Sequence, residues 1–155
     1  MTKGQPILRK HMEWIAIGVF AEAAPLVTAV RELTSAGVSL ADLCLAGAAK
    51  GMRRLAAAQE VRRLDRLAAL LRSAVEMRLP GSEEAILAAP TCVGNPILAL
   101  SPTIADRLRG SIIDGCILVG VHAATSVDAA RAARVLLRYS SRHVHVLRIP
   151  PEASK

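Results

Sequence analysis

A run of seven residues near the start, Ile15-Ala-Ile-Gly18-Val-Phe-Ala21, returns 102 residues later as Ile117-Leu-Val-Gly120-Val-His-Ala123. Each copy is a short apolar stretch rich in β-branched residues, of the length and type expected for a buried strand. Each is followed by apolar residues at helical spacing and then by a second apolar run. Two βαβ halves zip into one sheet, and right-handed crossovers place both helices on the same face. The expected class is therefore α+β: a ferredoxin-like duplicated βαβ sheet in strand order 4-1-3-2.

In the first half, residues 14–20 read as a strand. Pro25 suits the first turn of a helix in which Leu26, Val27, Val30 and Leu33 recur, and Gly37 offers a left-handed stop. Residues 38–46 then read as the second strand. In the second half, residues 116–122 are a strand, Ser126 caps a helix over 129–139, and residues 143–149 form the last strand before Pro150 and Pro151. Residues 1–13 have no sustained period and read as a flexible arm, and residues 151–155 as a tail. The sheet domain is thus discontinuous, built from 14–47 and 113–150.

Residues 48–112, about 65 in all, separate the halves and are too many for one loop. They read as a helical insertion. Residues 48–79 suggest one long amphipathic helix with Met52, Leu55, Val61, Leu64, Leu67, Leu71 and Val75 as its stripe, ended by Pro80-Gly81. A short helix from Ser82, a loop marked by Pro90, Gly94 and Pro96, and a helix from Pro102 to Gly110 complete it. Because the two crossover helices cover one face of the sheet only, the other face needs the insertion or a second subunit. The first strand is apolar or small on both sides, so neither face is made for water. Covering 600 Å² of apolar surface would contribute roughly 15 kcal/mol before ordering entropy is subtracted.

A chain of 155 residues buries about two-thirds of its unfolded surface and folds without staples. Cys44, Cys92 and Cys116 lack CxxC spacing and are odd in number, which points to reduced, buried, cytosolic thiols. No apolar run approaches the roughly 20 residues of a membrane span, and no signal peptide is expected. Trp14, Phe20 and Tyr139 are the only aromatic residues, too few for a base-stacking platform. The formal net charge is +7, and residues 48–79 hold eight basic residues against three acidic ones. A solvated helix face accounts for such a run in most proteins; an anionic partner is the functional alternative. Arg53, Arg54, Arg62, Arg63 and Arg66 are the residues that would meet it.

Other chemistry has less behind it. His143 and His145 lie two apart on a strand and share a face, the one spacing here that suits a metal ion, although polar edge residues are the plainer reading. Gly18 and Gly120 on the two central strands permit close approach of a ligand or of a packed helix. No phosphate loop, dinucleotide fingerprint or nucleophile with its base is present, so no catalytic residue and no cofactor is expected.

The order of Gly18-Val19-Phe20, Ala29-Val30-Arg31-Glu32-Leu33, Gly37-Val38 and Gly115-Cys-Ile-Leu-Val119-Gly-Val121 resembles bacterial heat-induced or general stress proteins of the low-temperature-induced type. The resemblance covers residues 14–46 and 113–149. It implies a cytoplasmic or membrane-associated accessory protein without catalytic residues. The middle differs: that family often has a glycine-rich hydrophobic segment where this chain has a basic amphipathic one.

The expected function is a non-enzymatic, oligomerising interaction or regulatory module. The sheet would be its scaffold, the insertion its partner surface, and a protein partner or second copy its ligand. The alternatives are a small-molecule sensor with its site near Gly18 or Gly120, and a nucleic-acid or anionic-membrane binder acting through the arginines. The expected location is the cytoplasm, at the membrane periphery in the last case.

Overall fold

The computed structural model describes residues 13–78, 85–89 and 102–149. Within them six strands make one antiparallel sheet flanked by six helices. In chain order these are β1 (Glu13–Phe20), α1 (Ala23–Ser35), β2 (Leu43–Gly47), α2 (Ala49–Ala57), α3 (Gln59–Arg62), α4 (Asp65–Arg72), β3 (Val75–Arg78), β4 (Ala85–Ala89), α5 (Pro102–Ile113), β5 (Ile117–Ala123), α6 (Ser126–Tyr139) and β6 (His145–Ile149). The sheet order is β3-β4-β2-β5-β1-β6, with β1 between β5 and β6 and β2 between β5 and β4. The expected arm and tail, Cys92, His11, the Pro90–Pro96 loop and most of the Ser82 segment lie outside the described residues.

The alternation of β1 sorts its side chains between two cores. Ala16 and Phe20 face α1, α4 and α6, together with Leu26, Leu33, Leu43, Leu45, Val119 and Leu136. Ile15, Ile17 and Val19 face the opposite way, against Cys44, Leu118, Leu108 and Ile112. The second face is closed by α5, from within the same chain. Arg142 ties down the end of that helix, donating to Ser111 Oγ at 2.9 Å and to Asp114 Oδ2 at 2.7 Å. The cover that the two-sided apolar strand demands is thus supplied by the insertion.

Glycine ends two of the helices as its conformational freedom allows. Gly37 after α1 has φ +99° and Gly115 after α5 has φ +89°, a region that other residues enter only under strain. At Gly37 the amide of Val38 reaches back to Leu33 O at 3.0 Å, and at Gly115 the amide of Cys116 reaches Ser111 O at 3.0 Å. The helix before the second strand half therefore runs through Gly110 and stops at Gly115, beyond the end expected for it. The cap of α6 is Thr125, whose Oγ1 accepts from the Asp128 amide at 3.1 Å, one residue before the expected Ser126. The second strand begins at Leu43, after a 3-10 turn over Leu40–Asp42, and the last begins at His145.

The insertion departs most from expectation. Residues 48–79 are not one helix: extended backbone at Ala58 (ψ 138°) and Leu64 (ψ 90°) divides them into α2, α3 and α4, and residues 75–78 form strand β3. A straight helix of that length would reach about 48 Å, well past the edge of a domain this size. Folded into three pieces, the same apolar stripe places Met52, Leu55, Val61, Leu67 and Leu71 in a single core. Residues 85–89, expected in a helix from Ser82, are strand β4. Short apolar runs are ambiguous by periodicity alone, and here pairing with β2 and β3 decides. The insertion is therefore not purely helical, since it also extends the sheet by two strands.

Candidate anion-binding surface

All five arginines singled out from the sequence are exposed. Arg53 and Arg54 lie on α2, Arg53 opposite the buried Gly51, Met52 and Leu55 and Arg54 flanking them; Arg62 ends α3, Arg63 follows it, and Arg66 lies in the first turn of α4. Among the described residues none of the five side chains makes a hydrogen bond or ion pair. Elsewhere in the fold Arg138 meets Glu32 at 2.8 Å, Arg142 meets Asp114 at 2.7 Å and Arg109 meets Asp106 at 2.7 Å.

The structure gathers only part of the set. Arg63 and Arg66 flank a groove of about 390 Å³ whose opposite wall is α1, and Arg31 of α1 completes the cationic lining. The floor is apolar, made by Val30, Val38, Leu40, Leu64 and Leu67, with Asp65 as the one carboxylate. The break at Leu64 builds this site, because it turns the end of α3 and the start of α4 around the same hollow. Arg54 instead lines a separate cleft of about 360 Å³ beside Glu22, Phe20 and Gly115. Arg53 and Arg62 line neither. Arg31 escapes a reading of the sequence because it is a lone cation on another helix, and only packing brings it near Arg63.

Gly18 and Gly120 hold no space for a ligand. A Cβ on Gly18 would stand 3.2 Å from Leu136 Cδ2, on the α6 side of the sheet. One on Gly120 would stand 2.6 Å from Cys44 Sγ and 2.9 Å from Ile15 Cδ1, on the α5 side. Their equivalence in the repeated pattern fails for a geometrical reason. In the β1–β5 register Gly18 lies opposite Val119, and Gly120 opposite Ile17. The two copies are thus one residue out of step, and a slip of one residue turns every side chain to the other face.

The histidines are dispersed. His145 on β6 lies opposite Ile17, while His143 precedes the strand and is exposed. Burial, chiefly, with His143 and Arg107 adding their charge, pushes the His145 imidazole pKa below its ordinary value. His122 is engaged elsewhere, its Nε2 3.2 Å from Glu13 Oε1. That pair opens on a cleft of about 430 Å³ between the end of α1 and the start of α6, also lined by Asp42, Asp128 and Arg131. Among the described residues no group of three or more His, Cys, Asp or Glu side chains is placed to hold a metal ion. Cys44 and Cys116 are buried, and Cys44 Sγ lies 3.6 Å from Gly120 O. No helix among the described residues is long and apolar enough to cross a membrane.

Fold and surface together define an α+β protein with a mixed helical and β insertion that carries unpaired cations. Neither a family model, nor a curated protein, nor a solved structure matches the chain.

Proposed function

We propose that this protein is a non-enzymatic interaction or regulatory module that engages an anionic partner through the helices of its insertion. In this reading β6-β1-β5-β2 is the 4-1-3-2 arrangement of a ferredoxin-like sheet, extended at the β2 edge by β4 and β3, and it serves as scaffold. The carrying observation is the set of exposed arginines on α2, α3 and α4 that have no internal partner among the described residues. Guanidinium groups gathered unpaired on one segment are poised for carboxylate or phosphate, whereas those of Arg138 and Arg142 are occupied within the fold. A role in a bacterial stress response is the setting that the family resemblance implies.

The test is binding to duplex DNA and to phosphatidylglycerol vesicles over a range of salt, for the native protein and for a variant with Arg53, Arg54, Arg62, Arg63 and Arg66 replaced by glutamine. Affinity that falls steeply with salt and is lost in the variant at unchanged thermal stability supports the reading. Equal binding by both proteins, or none by the native one, refutes it.

A further inference from the structure

The groove between α1 and the α3–α4 bend differs from a plain cationic patch in having an apolar floor. Val30 and Leu67 are fully buried at its base, and Val38, Leu40 and Leu64 are partly buried along it. Three exposed arginines, Arg31, Arg63 and Arg66, line it as well. Arginine presents a planar fork of donors that matches the oxygens of a phosphate or carboxylate. At about 390 Å³ the groove falls in the size range of small-molecule sites, which are mostly apolar with a few polar groups to fix orientation.

We infer that this groove takes a small amphiphilic anion, a single phosphate or carboxylate head on an apolar body, with the head among Arg31, Arg63 and Arg66 and the body on Val38, Leu40 and Leu64. The inference rests on reading the inserted helices as an anion-binding surface and assigns that surface its ligand chemistry. Two features favour one head over a threaded polyanion. Asp65 lines the same groove, so a continuous phosphate backbone would have to pass a carboxylate that one head group can avoid. No aromatic residue lines the groove, so the bases of a single strand would find nothing to stack on. The head group could be presented by a free metabolite or by a lipid in a bilayer, and the chemistry at the groove is the same.

The experiment titrates the full chain with octyl phosphate below its micellar range, following amide shifts and thermal unfolding. Inorganic phosphate and octanol are run beside it, on native protein, on Arg31→Gln/Arg63→Gln/Arg66→Gln and on the remote Arg134→Gln. The expected result is saturable binding of octyl phosphate with shifts at Thr34, Val38, Leu40 and Leu64. It should weaken at least tenfold in the triple variant, persist in Arg134→Gln, and be matched by neither inorganic phosphate nor octanol. Octyl phosphate that binds no better than inorganic phosphate or octanol, or equally well in the triple variant, overturns the inference. Vesicles of phosphatidylcholine with phosphatidic acid separate the sources. Flotation with them that octyl phosphate competes away assigns a lipid head, and octyl phosphate binding without flotation assigns a free molecule. Salt-sensitive DNA binding without any octyl phosphate response overturns the groove while the cationic surface stands. An octyl phosphate response without macromolecular binding has the converse meaning.

Discussion

Ser140 Oγ lies 3.0 Å from the amide nitrogen of Val19 and 2.9 Å from its carbonyl oxygen, so one hydroxyl serves both backbone groups of that residue. The need for it follows from the sheet. β6 pairs with β1 only as far as His145 opposite Ile17, which leaves the outer edge of β1 open beyond that point. The Ser141 amide adds a bond to Val19 O at 2.7 Å, and Ser141 Oγ accepts from Ala21 N at 3.0 Å. Two serines thus stand in for a missing strand and lead the chain from α6 to β6. Replacing Ser140 by alanine leaves the Val19 amide without this acceptor and should cost about 1–3 kcal/mol. Chemical denaturation followed by the fluorescence of Trp14, the single tryptophan, measures it.

Gly120→Ala should destabilise by about 1–3 kcal/mol, because the new methyl group meets Cys44 Sγ and Ile15 Cδ1 inside van der Waals distance. Cys44→Ala removes one of the two clashes. The double variant Gly120→Ala/Cys44→Ala should therefore be more stable than the sum of the single changes predicts, a coupling that a double-mutant cycle reads directly. Additivity would show that the packing around Gly120 yields without strain.

Leu108 of α5 is buried against the sheet face that also holds Ile17 and Leu118. Leu108→Ala should cost about 2–5 kcal/mol, as for other large-to-small changes in a core. Loosening α5 should also expose an apolar sheet face, so the variant is expected to self-associate more than the native protein in light scattering. An unchanged mass together with unchanged stability would mean that α5 contributes little to covering this face.

Stability should depend on pH through His145. Its pKa is lowered in the fold by burial first, then by His143 and Arg107. The unfolded chain, with its imidazole at about 6.5, binds the proton more readily. Stability is therefore full above about pH 6.5 and falls as pH drops through the lower folded-state value. His145→Gln should flatten that part of the profile, and denaturation midpoints across mildly acidic pH measure the difference. A native profile already flat there would show that the proton binds both states equally.

Local rules made part of this protein legible in its residues. The β-branched runs expected at 14–20 and 116–122 fall within or beside the strands β1 (Glu13–Phe20) and β5 (Ile117–Ala123) because they have almost no polar face to give to water, and Gly37 ends its helix because the backbone there needs a positive φ. The cationic character of the insertion was equally plain, since an arginine next to an alanine-rich apolar stripe has only the outer face left to it. What tertiary structure alone decided depends on distance in space. Periodicity cannot tell a long helix from three short ones that fold back to bury the same stripe, and the break at Leu64 that forms the groove obeys no local signal. Nor can a repeated motif reveal a register one residue out of step, which sends Gly18 toward Leu136 and Gly120 toward Cys44. Arg31 joins Arg63 and Arg66 only through the packing of α1 on the α3–α4 bend, a neighbourhood set by burial of the apolar residues between those helices.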